Sequence, residues 1–238
     1  MTRPNDQGPA ALLVAHGSPS DPEPQEVALA ALAARVQDAR PGWRIGSATL
    51  AADGSFDAAV TRLGRPLIYP FFMARGYFTG KVLTERAAPL GLSVLEPFGV
   101  SPELEVQAAE ALRRVLHERG WAAGDTQLLV AAHGSAVSRT SASAARAFAE
   151  ALQARLGFAG ARSGYVEEQP WLRDAAQGLG QAICLPHFAL RAGHMIEDVP
   201  EALEEAGFAG PVLPPFIDWP ETPGIIAAAL ARLTEPQG

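Results

Sequence analysis

The sequence predicts an α/β protein of two pseudo-symmetric domains, each a small parallel sheet flanked by helices. Three observations predict it. Short apolar runs alternate with Ala/Leu-rich stretches of helical spacing. The first run ends abruptly in His-Gly-Ser, as a buried parallel strand does when a glycine turns the chain at its carboxyl end. And the chain says nearly the same thing twice. Leu12-Leu13-Val14-Ala15-His16-Gly17-Ser18 returns as Leu129-Val130-Ala131-Ala132-His133-Gly134-Ser135, Tyr69-Pro70-Phe71-Phe72-Met73-Ala74-Arg75-Gly76 as Leu185-Pro186-His187-Phe188-Ala189-Leu190-Arg191-Ala192-Gly193, and Leu95-Glu96-Pro97-Phe98 as Leu213-Pro214-Pro215-Phe216. These landmarks hold an offset of 116 to 118 residues, an order and spacing that chance would not preserve. Two copies make a pair, since a solenoid needs more units to bury its core. The boundaries expected are 8–120 and 121–238, with the Gly- and Ala-containing stretch Arg119–Thr126 as linker.

In order, Ala10–Ala15 reads as the first strand. Glu23–Arg40 is a helix stopped by Pro41-Gly42. Arg44–Leu50 is a strand, Ser55–Leu63 a helix capped by Asp53 or Ser55, and Pro66–Phe72 a third strand. A loop Met73–Gly80, a helix Lys81–Leu90 and a strand Ser93–Leu95 follow, then a long helix Pro102–Gly120 with acidic residues in its first turn. The second half repeats this with strands Gln127–Ala132, Arg162–Val166, Gln181–Phe188 and Pro211–Leu213, and helices Ser141–Leu156, Pro170–Gly178, Met195–Ala206 and Pro223–Leu233. The sequence leaves open on which half each closing helix packs.

The 238 residues are 48% hydrophobic and 19% charged, values of a soluble globular protein. A net charge of −7 without a Lys/Arg run argues against nucleic acid or an anionic membrane as partner. The single cysteine, Cys184, excludes a disulfide or a cysteine-based metal cluster within one chain, and its apolar neighbours read as a buried thiol. No apolar run approaches the ~20 residues of a membrane span, so a cytoplasmic protein is expected. The sequence leaves the oligomeric state open, a homo-oligomer included.

Ligands of such sheets bind outside the carboxyl ends of the strands. The second half brings His133, Glu167 or Glu168, and His194 to three successive strand ends. Two imidazoles and a carboxylate suit a first-row divalent metal such as Fe²⁺, Co²⁺, Ni²⁺ or Zn²⁺, and near neutral pH they also accept protons. His187 falls within its strand, where a core role is expected; His117 reads as surface, and Glu197-Asp198 as favourable charges in a first helical turn. In the first half His16 remains, but His194 is matched by Tyr77 or Phe78 and Glu167 by Leu50 or Ala51. The aromatic residues Phe71, Phe72, Tyr77 and Phe78 would then stack on a flat ligand. Arg75 and Arg191, at equivalent places, are candidates to clamp an acidic ligand. The His-Gly-Ser motif lacks the Gly-x-Ser-x-Gly elbow of a hydrolase, and no Gly-rich phosphate loop supports a nucleotide.

From about Ala10 to Leu233 the chain resembles the CbiX/SirB-like class II sirohydrochlorin chelatases in their duplicated long form. The resemblance rests on Val14-Ala15-His16-Gly17-Ser18, Ala131-Ala132-His133-Gly134-Ser135, and Pro186-His187-Phe188-Ala189-Leu190-Arg191-Ala192-Gly193-His194 followed by Asp198-Val199-Pro200. It implies ATP-independent insertion of a divalent metal, Co²⁺, Fe²⁺ or Ni²⁺ as substrate, into a sirohydrochlorin-type tetrapyrrole lying in a cleft between the halves, with no nucleotide. It implies His133 and His194 as metal ligands and proton acceptors, assisted by Glu167. Arg191, Arg75, Ser135, His16 and Tyr77 are the substrate-binding residues expected. Duplicated members often carry their active groups in the first half, whereas this chain keeps the fuller set in the second. That departure leaves a second reading, a non-catalytic tetrapyrrole- or metal-binding or delivery protein.

Overall fold

The computed structural model describes residues 8–135 and 140–233. Along the chain, β1 (Ala10–Ala15), α1 (Glu23–Ala39), β2 (Arg44–Thr49), α2 (Ser55–Leu63), β3 (Leu67–Pro70), α3 (Leu83–Ala87) and α4 (Pro102–Arg119) precede β4 (Gln127–Ala132), α5 (Thr140–Leu156), β5 (Gly160–Tyr165), α6 (Leu172–Ala176), β6 (Ala182–Pro186), α7 (Gly193–Ile196), α8 (Asp198–Glu205) and α9 (Thr222–Ala231). The strands form two parallel three-stranded sheets ordered β2-β1-β3 and β5-β4-β6. Each sheet is flanked by helices, as the alternating pattern predicts.

The central strands read as uninterrupted apolar runs because helices cover them on both faces. β1 is buried at every residue and β4 at every residue after Gln127. α1 buries Leu29, Leu32, Ala33 and Val36, the spacing of one helical face. The first core gathers Leu12, Val14, Phe56, Ile68 and Leu83. Its counterpart gathers Leu129, Ala131, Leu172, Cys184, Met195 and Val199. Each large apolar side chain so buried contributes about 1.5–3 kcal/mol. In both sheets the chain leaves the central strand for one edge and returns to the other. The switch point therefore lies at the carboxyl ends of β1 and β4, immediately before His16 and His133.

The expected fourth strands shrink to single bridges, Ile68 with Val94 and Cys184 with Val212. α2 starts after Gly54 without a side-chain cap, and the Ser55 hydroxyl donates instead to Glu26 at 2.8 Å. The helix expected from Lys81 begins at Phe78 as one wide turn, Phe78–Val82, before α3.

The domain boundary expected at residue 120 needs correcting. Packing divides the chain into one unit running to Ser101 and resuming at Pro220, and another of Pro102–Trp219. The closing helix of each repeat has been exchanged. α4 packs on α5, with Glu105 and Arg155 paired at 2.8 Å, and α9 packs on α1. An amphipathic pattern shows that a helix has a face to bury, not which sheet it covers. The supposed linker is likewise part of the second unit: Ala123–Asp125 forms a tight turn, and Thr126, fully buried, accepts from the backbone N–H of Ala159.

Candidate metal centre

His133 follows β4 directly, and its carbonyl accepts from the N–H of Glu167 at 2.9 Å. Continuing the β4–β5 ladder by that one bond sets the Glu167 side chain beside the imidazole. His194, expected at the end of a loop, sits in the single helical turn α7. That turn is short for a physical reason. Pro200 lacks an N–H, and its ring conflicts with the carbonyl four residues back, at Ile196, so the helix breaks and restarts as α8.

Three side chains converge. One donor atom from each of His133, Glu167 and His194 lies within 4.8 Å of the others. Glu167 bridges the imidazoles, Oε2 standing 3.5 Å from His133 Nδ1 and Oε1 3.6 Å from His194 Nε2. The two rings meet edge to face, centroids 4.4 Å apart. All three side chains are about two-fifths exposed, at 43%, 43% and 40%, so a solute reaches them from solvent. Two nitrogens and a carboxylate oxygen at this spacing can hold a first-row divalent ion and leave coordination positions open.

A second layer braces these groups. His194 Nδ1 lies 2.7 Å from Asp198 Oδ2, one turn further on at i, i+4. His133 Nδ1 lies 3.0 Å from the carbonyl of Gly134, and the N–H of the same peptide, at Ser135, donates to Glu168 Oε1 at 2.8 Å. Glu168 thereby fixes the peptide that orients His133. Gly134 is required there twice over: its φ is +74°, and a Cβ would stand 2.9 Å from both Tyr165 Cβ and Glu168 Cγ. Sequence reasoning offered Glu167 or Glu168 as one choice; the two adjacent carboxylates face different groups. It missed the contact of Asp198, although the i, i+4 spacing to His194 was a usable signal.

The first unit keeps the backbone of this arrangement and not its donors. Ala51 N–H donates to the His16 carbonyl at 2.9 Å, so Ala51 rather than Leu50 stands where Glu167 stands. Phe78, not Tyr77, meets the His16 ring edge to face at 4.2 Å, as His194 meets His133. Phe72 stacks on Phe78 at 6.3 Å, and Tyr77, which is exposed, lies near the Lys81 ammonium. Phe71 is buried in the core against Phe98, so its ring is not available to stack on a flat ligand as expected.

Both candidate clamps are already paired. Arg191 reaches Asp218 with Nε at 3.0 Å and Nη2 at 2.6 Å, and Arg75 Nε reaches Glu96 at 2.7 Å. Glu96 holds the Arg75 guanidinium pKa above its ordinary value. His187 lies in the core at the place of Phe71, ringed by Phe148 and Phe216, and burial pushes it down to about 4. Burial pushes the Cys184 thiol up to about 12.

The CbiX family model matches residues 127–213, a span holding His133, Glu167, Glu168 and His194. Among solved structures, one described as CbiX, the terminal enzyme for biosynthesis of siroheme in denitrifying bacteria, is 42% identical and covers 95% of this chain and 100% of its own, with a TM-score of 0.87. The chain belongs to the CbiX family. Two remoter structures share the fold of this CbiX-family chain. DR2241 from Deinococcus radiodurans, a multi-domain protein with structural similarity to chelatases, is 19% identical over 97% of this chain and 56% of that one, TM-score 0.67. SirB from Bacillus subtilis with Fe³⁺ is 14% identical over 94% and 95%, TM-score 0.73. No curated protein sequence matches the chain. Among the described residues of this CbiX-family member, no helix is long and apolar enough to cross a membrane.

Proposed function

We propose that this protein inserts a divalent metal, Co²⁺ or Fe²⁺, into a sirohydrochlorin-type tetrapyrrole without ATP. The observation that carries the reading is the convergence of His133, Glu167 and His194 within 4.8 Å in a member of the CbiX family. The metal is a substrate here and has to be released, so a partly exposed site with few protein ligands suits the task better than a closed cage.

The balance of charge supports the same residues. A divalent ion entering a free-base macrocycle displaces two pyrrole protons. As the ion passes to the ring nitrogens, each imidazole recovers a lone pair that can take one of them, and Glu167, between the rings, offsets the positive charge that develops. Arg191 and Arg75 are proposed to meet carboxylates of the macrocycle by exchanging Asp218 and Glu96 for them. Ser135, His16 and Tyr77 are proposed to complete the substrate surface.

The test is an anaerobic mixture of protein, sirohydrochlorin and Co²⁺ or Fe²⁺ followed by visible spectroscopy, against the His133→Ala/His194→Ala double variant. Protein-dependent conversion to the metallated spectrum, lost in the variant, is the expected result. Conversion that persists would move the chemistry away from these histidines. A bound-tetrapyrrole shift with no conversion would sink the enzyme reading and leave a binding or delivery protein.

A further inference from the structure

We propose that Asp198 is a positioning residue: by accepting the Nδ1 proton of His194 it holds that ring in the tautomer whose Nε2 lone pair faces Glu167. The proposal rests on the reading of His194 as a metal ligand. A neutral histidine free in water favours the opposite tautomer, with the proton on Nε2. A ligand nitrogen must present a lone pair, so an acceptor at Nδ1 is needed to invert that preference. Asp198 Oδ2 stands 2.7 Å from Nδ1, and the far nitrogen of the same ring is the one 3.6 Å from Glu167 Oε1.

The bland role for Asp198 is a favourable charge in the first turn of α8. Two observations weigh against it. α8 has no side-chain hydrogen bond at its cap, and Glu201 also supplies negative charge in its first turn. The internal repeat supplies the second. At the offset of 116 that relates Phe78 to His194, the residue matching Asp198 is Val82. Phe78 and Val82 bound the wide turn that leads into α3, so that turn forms with no carboxylate there. At these two matched positions the imidazole and the carboxylate are present together in the second repeat and absent together in the first. A charge wanted only to start a helix has no reason to follow the ring.

The geometry gives the carboxylate little freedom. His194 lies in α7 and Asp198 opens α8 just beyond the break imposed by Pro200, and the i, i+4 spacing leaves the two side chains in contact. Val199 is fully buried beside Asp198, which anchors the backbone that carries the acid.

The experiment is ¹⁵N NMR of histidine-labelled protein without metal, at a pH where the imidazoles are neutral, with His194 assigned through His194→Gln. Wild type should show His194 protonated at Nδ1, and Asp198→Ala should shift it towards Nε2. A parallel Co²⁺ titration, read by the visible d–d bands, should weaken 10- to 100-fold in Asp198→Ala. Asp198→Glu should recover part of both readouts. An unchanged tautomer in Asp198→Ala, or unchanged Co²⁺ affinity with only a lowered Tm, would overturn the proposal. If wild type itself binds no Co²⁺, the metal reading of the site has failed, and the NMR shift still decides what Asp198 does to His194.

Discussion

Phe78 meets His16 edge to face with ring centroids 4.2 Å apart and planes at 90°, the arrangement in which His194 meets His133 at 4.4 Å and 89°. The first repeat has kept the geometry of the pair and exchanged its chemistry. Since Ala51 is also bonded to the His16 backbone as Glu167 is to that of His133, the first unit offers the frame of the proposed metal site without its donors. The triple variant Ala51→Glu/Phe78→His/Val82→Asp should therefore bind an additional equivalent of Co²⁺. Titration against wild type checks this, and an unchanged stoichiometry would mean that the matched backbones do not deliver matched side chains.

Glu167 and Glu168 are neighbours in sequence with separable tasks. Glu167 lies between the two imidazoles, whereas Glu168 accepts the Ser135 N–H. Glu167→Gln should lower Co²⁺ affinity and metal insertion at least 10-fold while leaving Tm close to wild type. Glu168→Ala removes a charge-assisted hydrogen bond of a half-buried carboxylate and should cost about 1–2 kcal/mol of stability. Denaturant melts and Co²⁺ titrations on both variants distinguish the two; identical profiles would argue against the division.

Much of this was legible in the sequence because strand periodicity and the internal repeat are local signals. The runs at Ala10–Ala15 and Gln127–Ala132 fall where β1 and β4 lie, and the three converging groups all come from segments that follow strands, beyond the carboxyl ends where a parallel sheet puts its ligand edge. What stayed hidden depends on contacts between distant segments. The exchange of α4 and α9 needs the partner surface of each helix, and the amphipathic pattern does not carry it. The choice of Phe78 over Tyr77 turned on a helix that starts three residues before the pattern suggested. The contact between Asp198 and His194 was obscured by expecting a loop up to His194, where α7 already forms a turn.

Arg191 is exposed and its pairing with Asp218 costs little to exchange. Arg191→Ala should leave Tm unchanged, leave Co²⁺ affinity unchanged, and raise KM for a tetrapyrrole several-fold with a smaller effect on kcat. Steady-state kinetics at fixed metal separates these quantities. A loss of kcat at constant KM would place Arg191 nearer the chemistry than a carboxylate clamp.

Cys184 is the sole cysteine, lies in β6 and is fully buried. With the thiol pushed up to about 12 by burial, almost no thiolate exists at neutral pH. A disulfide reagent such as Ellman's should leave the native protein unmodified and react once per chain in denaturant. Rapid reaction of the folded protein would contradict the burial of β6.

His187 makes the acid limit of stability partly a property of one residue. Its pKa falls from the ordinary 6.5 to about 4 because burial disfavours the charged ring. As pH drops through 6.5 the unfolded chain takes up a proton at this residue and the folded chain does not, so stability falls with pH until the folded ring also protonates near 4. That difference corresponds to at most about 3 kcal/mol below pH 4, all of it absent at pH above 7. Phe71 occupies the equivalent core position, so His187→Phe is a replacement the architecture already accommodates. The stability gap between His187→Phe and wild type should be constant above pH 7 and should shift in favour of the variant as pH falls from 6.5 towards 4, since every other titrating group is common to both. Denaturant melts at half-unit pH steps measure it. A gap independent of pH would mean that water or a polar partner reaches the ring, and that His187 is not the closed core residue its surroundings indicate.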